Sequence, residues 1–115
     1  MLSTTFDKLK LLESGSLTAE ENAAKFLEKI LREDAVLGAF IETFGSDALE
    51  EARAVDAARR NGAVGRMAGL GVSIKNSVAV AGRRLTCGSR MLEDYRAPFE
   101  ATAVSRLRAS GSVLL

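Results

Sequence analysis

An α/β domain, with helices packed on a mixed and incomplete β-sheet, is predicted by three features of this 115-residue sequence. Helical and strand-like segments alternate along it in the order α-α-β-α-β-β-α-β, the pattern that layers helices on a sheet. A capped, amphipathic helix occupies residues 18–33. Six of the ten glycines, Gly62, Gly65, Gly69, Gly71, Gly82 and Gly88, punctuate a short β-branched run that delivers Lys75 into a loop.

The elements follow in order. Residues 4–14 read as a short helix, with Phe6, Leu9 and Leu12 about one turn apart and Gly15 stopping it. Thr18-Ala19-Glu20-Glu21 is a capping box: the threonine hydroxyl accepts from the backbone at Glu21 and the Glu21 carboxylate reaches back. Apolar residues at 23, 26, 27, 30 and 31 then form one stripe. Glu21 with Lys25 and Glu28 with Arg32 are favourable pairs one turn apart. Residues 35–44 read as a strand that turns at Gly45. Ser46 or Asp47 is expected to cap a helix over 47–60, whose small face at Ala48, Ala52, Val55 and Ala58 suits close packing. Asn61-Gly62 ends it, Gly62 being suited to a left-handed position. Strands are predicted over 70–75 and 78–81, a loop with one helical turn near Arg90–Leu92 over 83–97, and a helix over 102–110 capped by Thr102. That helix turns Ala103, Val104 and Leu107 inward. A last strand begins at Ser112 and runs to Leu115.

Composition narrows the function. Hydrophobic residues are 47% and charged residues 27%, ordinary for a globular chain. Sixteen basic against fifteen acidic residues give a net charge of +1, so bulk charge calls for neither a nucleic-acid nor an anionic-membrane partner. The absence of histidine removes Ser-His-Asp and Cys-His nucleophile systems and the commonest metal ligand. No cofactor or metal is expected. The single cysteine, Cys87, forms no intrachain disulfide and leans towards a reducing compartment. No apolar run reaches the length of a membrane span, and the first residues, Met1-Leu2-Ser3-Thr4-Thr5-Phe6-Asp7-Lys8, are expected to be neither a signal peptide, having no apolar core, nor a transit peptide, having Asp7 and no arginine. An intracellular setting, cytoplasmic or mitochondrial, is expected.

The glycine-rich region carries the most specific signal. Gly65-Arg66-Met67-Ala68-Gly69-Leu70-Gly71-Val72-Ser73-Ile74-Lys75-Asn76 resembles the G-P-L-A-G-I-P-x-x-I-K-D segment of amidase-signature enzymes. Thr86-Cys87-Gly88-Ser89-Arg90-Met91-Leu92-Glu93-Asp94-Tyr95 resembles that family's T-x-G-S-x-x-L-E-x-Y, and Pro98-Phe99-Glu100-Ala101-Thr102-Ala103-Val104 its P-Y-D-A-T-x-V. Arg106-Leu107-Arg108-Ala109-Ser110-Gly111 closes the match, so the likeness covers essentially the whole chain. Within the family it is strongest to the A-subunit branch of glutamyl-tRNA(Gln) amidotransferases, which release ammonia from glutamine. The resemblance implies the N-terminal part of the amidase-signature fold, a single truncated domain over 1–115. Its helical region would span 1–62 and its lysine-bearing strand and loop region 63–115.

The same resemblance implies a Ser–Ser–Lys machinery, with its lysine at Lys75. One serine attacks an amide carbonyl, a second relays the proton, and neutral lysine is the final base. A lysine partly buried at a strand end has its charged form disfavoured, which suits that role. The family's two serines lie in a glycine/serine-rich signature beyond the equivalent of Gly111. Ser73, Ser77, Ser89 and Ser112 match neither by motif. The sequence is therefore expected to be catalytically incomplete as it stands: a piece or degenerate paralogue of an amidohydrolase, serving as one component of a larger assembly. The alternatives are an active glutamine amidase completed by a second chain or a C-terminal region, and a small RNA- or protein-binding module. Three departures from the family pattern stand out: Gly71 replaces a proline and should loosen the strand entry, Asn76 replaces an aspartate, and Glu100 replaces an aspartate.

Other candidates weigh less. Cys87 is either a nucleophile near Arg83, Arg84 and Arg90 or, the favoured reading, a small buried side chain in a tight turn. Gly69-x-Gly71 lacks the third glycine or lysine-serine of a phosphate loop. Arg83, Arg84, Arg90 and Arg96 are expected to be solvated or paired rather than to hold RNA. A protein partner is expected to cover an open sheet edge near Ser112–Leu115.

Overall fold

Our computed structural model describes residues 4–115; Met1-Leu2-Ser3, the first part of the segment read as opening no leader, lie outside them. Helix α1 spans Thr5–Ser14 and ends on Gly15 in the left-handed region (φ 75°). Its start is a capping box that the sequence reading does not include: Thr4 Oγ1 accepts from the Asp7 N–H at 3.1 Å, and the Asp7 carboxylate accepts from the Thr4 N–H at 2.9 Å. Those bonds from Thr4 hold the Asp7 carboxyl below the usual aspartate range. Of the three expected apolar anchors, Leu12 is fully buried, Leu9 is half-buried, and Phe6 is 73% exposed.

Helix α2, Ala19–Leu37, starts at the expected capping box, with Thr18 and Glu21 exchanging two 3.0 Å hydrogen bonds. Thr18 holds the Glu21 carboxyl below its ordinary pKa through the same bonds. The next donors are met from elsewhere: the Asp56 carboxylate accepts from the N–H groups of Ala19 at 2.8 Å and Glu20 at 3.1 Å. Three of the first-turn donors that every helix leaves open are thus satisfied, one locally and two by a side chain on the next helix. Ala23, Phe26, Leu27 and Ile30 of the predicted stripe pack on the core, whereas Leu31 is 80% exposed. The ion pairs on this helix are Lys29–Glu33 and Arg32–Glu33, not the two expected from spacing.

The strand predicted over 35–44 does not form. Helix α2 continues to Leu37, and Gly38 turns left-handed (φ 61°). The Asp34 carboxylate then accepts from the N–H groups of Ala39 (2.6 Å) and Phe40, which takes up donors that a strand would offer to a neighbour. Helix α3 spans Gly45–Arg60 with Phe44 at its cap and no capping side-chain bond, so Ser46 and Asp47 sit inside the first turn. Ala48 and Ala52 are fully buried against Ala19 and Ala23, and these small side chains let α2 and α3 approach closely. Asn61 ends the helix and Gly62 follows at φ 73°, as its position predicts.

The sheet is smaller than expected and is parallel rather than mixed. Strand β1, Gly71–Val72, pairs with β2, Val113–Leu114, in the register Gly71↔Val113 and Val72↔Leu114. Residues 78–81 form no strand. Their backbone goes instead into turns and one distant bond: the Val78 N–H donates to the Lys75 carbonyl, the Arg83 N–H to the Val80 carbonyl, and the Ala101 N–H to the Ala79 carbonyl. An isolated antiparallel bridge joins Arg84 and Arg96. Arg90–Leu92 is the expected helical turn, of 3-10 type. Helix α4, Thr102–Ala109, has Thr102 as its first helical residue and Ala101 at the cap without a side-chain bond. Val104 is fully buried, Leu107 half-buried and Ala103 exposed, so the inward face is narrower than predicted.

The expected open edge at Ser112–Leu115 is a further correction, since all four residues are buried within the chain. The N–H groups of Val113 and Leu115 donate to the carbonyls of Leu70, just before β1, and Val72. The Leu114 N–H, which points away from β1, donates to the Glu51 carboxylate of α3 at 3.1 Å. Arg108 of α4 pairs with Glu51 and, at 2.9 Å, with Glu100, locking three elements together. Burial pushes the Arg108 guanidinium down from its ordinary value.

Replacing Asp56 with alanine leaves two N-terminal donors of α2 without their carboxylate. It should lower the unfolding free energy by about 1–2 kcal/mol, read as a lower urea midpoint with unchanged slope.

Candidate active site

Alternation along the segment after β1 builds the site. Val72 and Ile74 pack on the cluster of Val80, Val104 and Leu114, which sends Ser73 and Lys75 to the opposite side. There they line an open cleft of about 810 Å³, with Ser77 and Asn76 beside them, Phe40 and Glu42 across from them, and Cys87 and Gly88 at another wall. Lys75 is exposed, so the partial burial expected for it is not found. Among the described residues no hydrogen bond joins its ammonium to a hydroxyl of Ser73, Ser77 or any other side chain.

Asn76 fastens this segment to the loop that follows. Its Nδ2 donates to the Arg84 carbonyl at 2.9 Å, and its Oδ1 accepts from the N–H of Thr86 at 2.6 Å and from the Thr86 hydroxyl. The Cys87 N–H donates to the Asn76 carbonyl at 3.3 Å. Asparagine fits because this position needs one donor and one acceptor; an aspartate could not donate to Arg84. Thr86 is buried and accepts further from the Gly88 N–H at 3.4 Å.

Thr86–Ser89 is a tight turn closed by Ser89 N–H donating to the Thr86 carbonyl at 2.8 Å. Both central residues have positive φ, 50° at Cys87 and 72° at Gly88, the signature of a type I′ turn. Cys87 is exposed on the cleft rather than buried, which overturns the expectation of a small buried side chain. A left-handed turn throws its side chain outward, and no core residue covers it.

The arginines are largely committed to the chain itself. Arg83 pairs with Glu42 at 3.2 Å and with Asp47, and its guanidinium lies over the Phe44 ring at 4.3 Å from the centroid. Arg84 donates twice to the Glu93 carbonyl. Arg96 donates to the Gly82 carbonyl at 3.1 Å and lies 3.9 Å from Glu42. Glu42 also accepts from the Arg84 N–H at 3.1 Å. It is thus the hub of the cleft's far wall, and sequence reasoning passes over it because it lies in the segment read as a strand. Asn76 and Thr86 each sit one residue from Lys75 or Cys87; their pairing is invisible without the loop's path. Among the described residues no group of acidic, cysteine or histidine side chains is placed to hold a metal, and no helix is long and apolar enough to cross a membrane.

Asn76→Ala removes three bonds, two of them to buried Thr86, and should cost at least ~2 kcal/mol in unfolding free energy. Asn76→Asp keeps both bonds to Thr86 and should cost less than the alanine change. Denaturant titration of the two variants side by side checks the order.

Comparison with known proteins places these features. The family model described as Amidase matches residues 21–115. In Moorella thermoacetica, the A subunit of glutamyl-tRNA(Gln) amidotransferase is 39% identical over 113 residues, covering 97% of this chain and 23% of that protein. Its counterpart in Chlorobium chlorochromatii is 40% identical over 117 residues, covering 99% and 24%. Among solved structures, a vestigial protein complex bearing on the origins of an s-triazine catabolic enzyme superposes with a TM-score of 0.93 at 30% identity, over 98% of this chain and 25% of that one. Native peptide amidase from Stenotrophomonas maltophilia superposes with a TM-score of 0.90 at 31% identity, over 98% and 24%. The chain therefore spans about a quarter of the length of the relatives it matches.

Proposed function

We propose that this chain, which belongs to the amidase family, is the lysine-bearing N-terminal portion of an amide-hydrolysing fold similar to the glutamyl-tRNA(Gln) amidotransferase A subunit. It contributes Lys75 to an acyl-transfer site whose serine nucleophile and relay serine come from other sequence. The observation that carries this reading is Lys75 itself, standing on an open cleft with no hydroxyl bonded to its ammonium among the described residues. A base with no nucleophile hydrogen-bonded to it is not set up to transfer an acyl group. The match to about a quarter of each relative supports the same division of labour.

In this reading Lys75 is the terminal proton acceptor. It would take the proton that leaves the attacking serine through the relay hydroxyl and return it to departing ammonia. Asn76 and Thr86 hold the segment so that the amine faces the cleft. The complementary polypeptide would also cover apolar side chains now in water, among them Val36 (90% exposed), Leu37 (71%) and Met91 (96%). This replaces the expected partner position at the β2 edge with a position at the end of α2 and on the 3-10 turn.

The 115-residue chain alone should hydrolyse neither glutamine nor simple amides above background, measured by ammonia release. Turnover by the chain that vanishes in Lys75→Ala would overturn the proposal. In a polypeptide that also carries the serine signature, Lys75→Ala should lower kcat by at least ~10²–10⁴-fold, the usual contribution of a positioned general base.

A further inference from the structure

A second hollow, sharing no residue with the cleft, lies between α1 and α2. It has a volume of about 390 Å³, within the range of small-ligand sites, and is lined by Lys8, Lys25 and Lys29 together with Phe26, Ser16 and Leu17. Lys25 and Lys29 are one turn apart on α2 and flank Phe26. Lys8 reaches across from α1, its ammonium 3.8 Å from the centroid of the Phe26 ring. Among the described residues no carboxylate lines the hollow. Lys8 and Lys25 have no carboxylate within ion-pair distance among those residues, and Lys29 has only a long contact of 3.9 Å to Glu33.

We propose that this hollow binds a phosphate-bearing ligand, its anionic group held among the ammonium groups of Lys8, Lys25 and Lys29. Like charges one turn apart on a helix weaken it, and a third brought over from another helix adds to the repulsion. In a chain with a net charge of +1, three amines gathered around one concave, partly apolar surface are a local excess that an anion would neutralise. The repulsion registers at Lys8, which is pushed below the ordinary lysine range by burial first and then by Lys29 and Lys25. The Phe26 ring fixes the Lys8 ammonium over one wall, which pre-orders one of the three donors. A phosphate accepts several charge-assisted hydrogen bonds at once, and lysine binds it as a point charge. The same chemistry is offered by a small phosphorylated molecule and by the backbone of RNA.

Thermal unfolding and calorimetric titration of the full chain with pyrophosphate and, separately, with short single-stranded RNA test this at low ionic strength, with sulfate at matched ionic strength as control. Ligand that binds only the folded chain raises its melting temperature. We expect at least one of the two probes to do so more than sulfate. Lys25→Gln should weaken binding about tenfold, the loss of one charge-assisted bond, and the triple change Lys8→Gln, Lys25→Gln, Lys29→Gln should abolish it. Lys8→Arg keeps both the charge and the ring contact and should retain binding. All three lysines are replaceable without opening the core, and circular dichroism verifies folding of each variant. Pyrophosphate alone as the lysine-dependent probe identifies a small-molecule site; RNA alone identifies backbone phosphates. Binding of neither, or equal binding by the triple variant, overturns the proposal.

Discussion

The parallel pairing of Gly71–Val72 with Val113–Leu114 is the contact on which the arrangement around Lys75 depends. It joins parts of the chain some forty residues apart, and it demands backbone approach that side chains would block. A Cβ on Gly65 would fall 2.4 Å from the Ser110 carbonyl oxygen, and one on Gly111 would fall 2.9 Å from the Ala68 Cα. One on Gly71 would meet the Leu115 side chain at 2.8 Å. Glycine at 71, where the family pattern has proline, leaves room for the end of the Leu115 side chain. With β1 pinned in this way, the segment that follows packs Ile74 partly on the Val80, Val104 and Leu114 cluster and leaves Lys75 exposed on the cleft.

Carboxylates reaching across long sequence separations do the remaining fastening. Asp56 caps α2 from α3, Glu51 accepts from β2 and pairs with α4, and Glu42 gathers Arg83, Arg96 and the Arg84 N–H. Each meets backbone donors or guanidinium groups that would otherwise lose water without gaining a partner, which is why such groups in folded chains are nearly always matched. One exception remains: the Ser112 hydroxyl is buried with no partner among the described residues. Glu100 belongs to the same scheme. It holds Arg108 at 2.9 Å, so this departure from the family's aspartate still serves an ion pair.

Helix starts and stops marked by local chemistry are legible in the sequence. The Thr18–Glu21 capping box, the Gly15 and Gly62 ends and the turn at Arg90–Leu92 all rest on interactions within a few residues. Strands are harder for the opposite reason. A strand is defined by its neighbour, and residues 35–44 and 78–81 have alternating or β-branched residues but no partner to pair with. The exposure of Cys87 follows from a left-handed turn, which composition suggests but does not orient. Lys75 stands out because glycine punctuation and family likeness converge on it. Its clamp, Asn76 with Thr86, depends on where the loop returns.

By itself the sequence determined the capped helices, the family likeness and the position of Lys75, because each is encoded in residues close together along the chain. Only the tertiary structure decided the extent of the sheet, the burial of Ser112–Leu115, the hub at Glu42 and the gathering of Lys8 with Lys25 and Lys29. Those features arise where distant segments meet, and which donor finds which acceptor there is set by packing rather than by spacing along the chain.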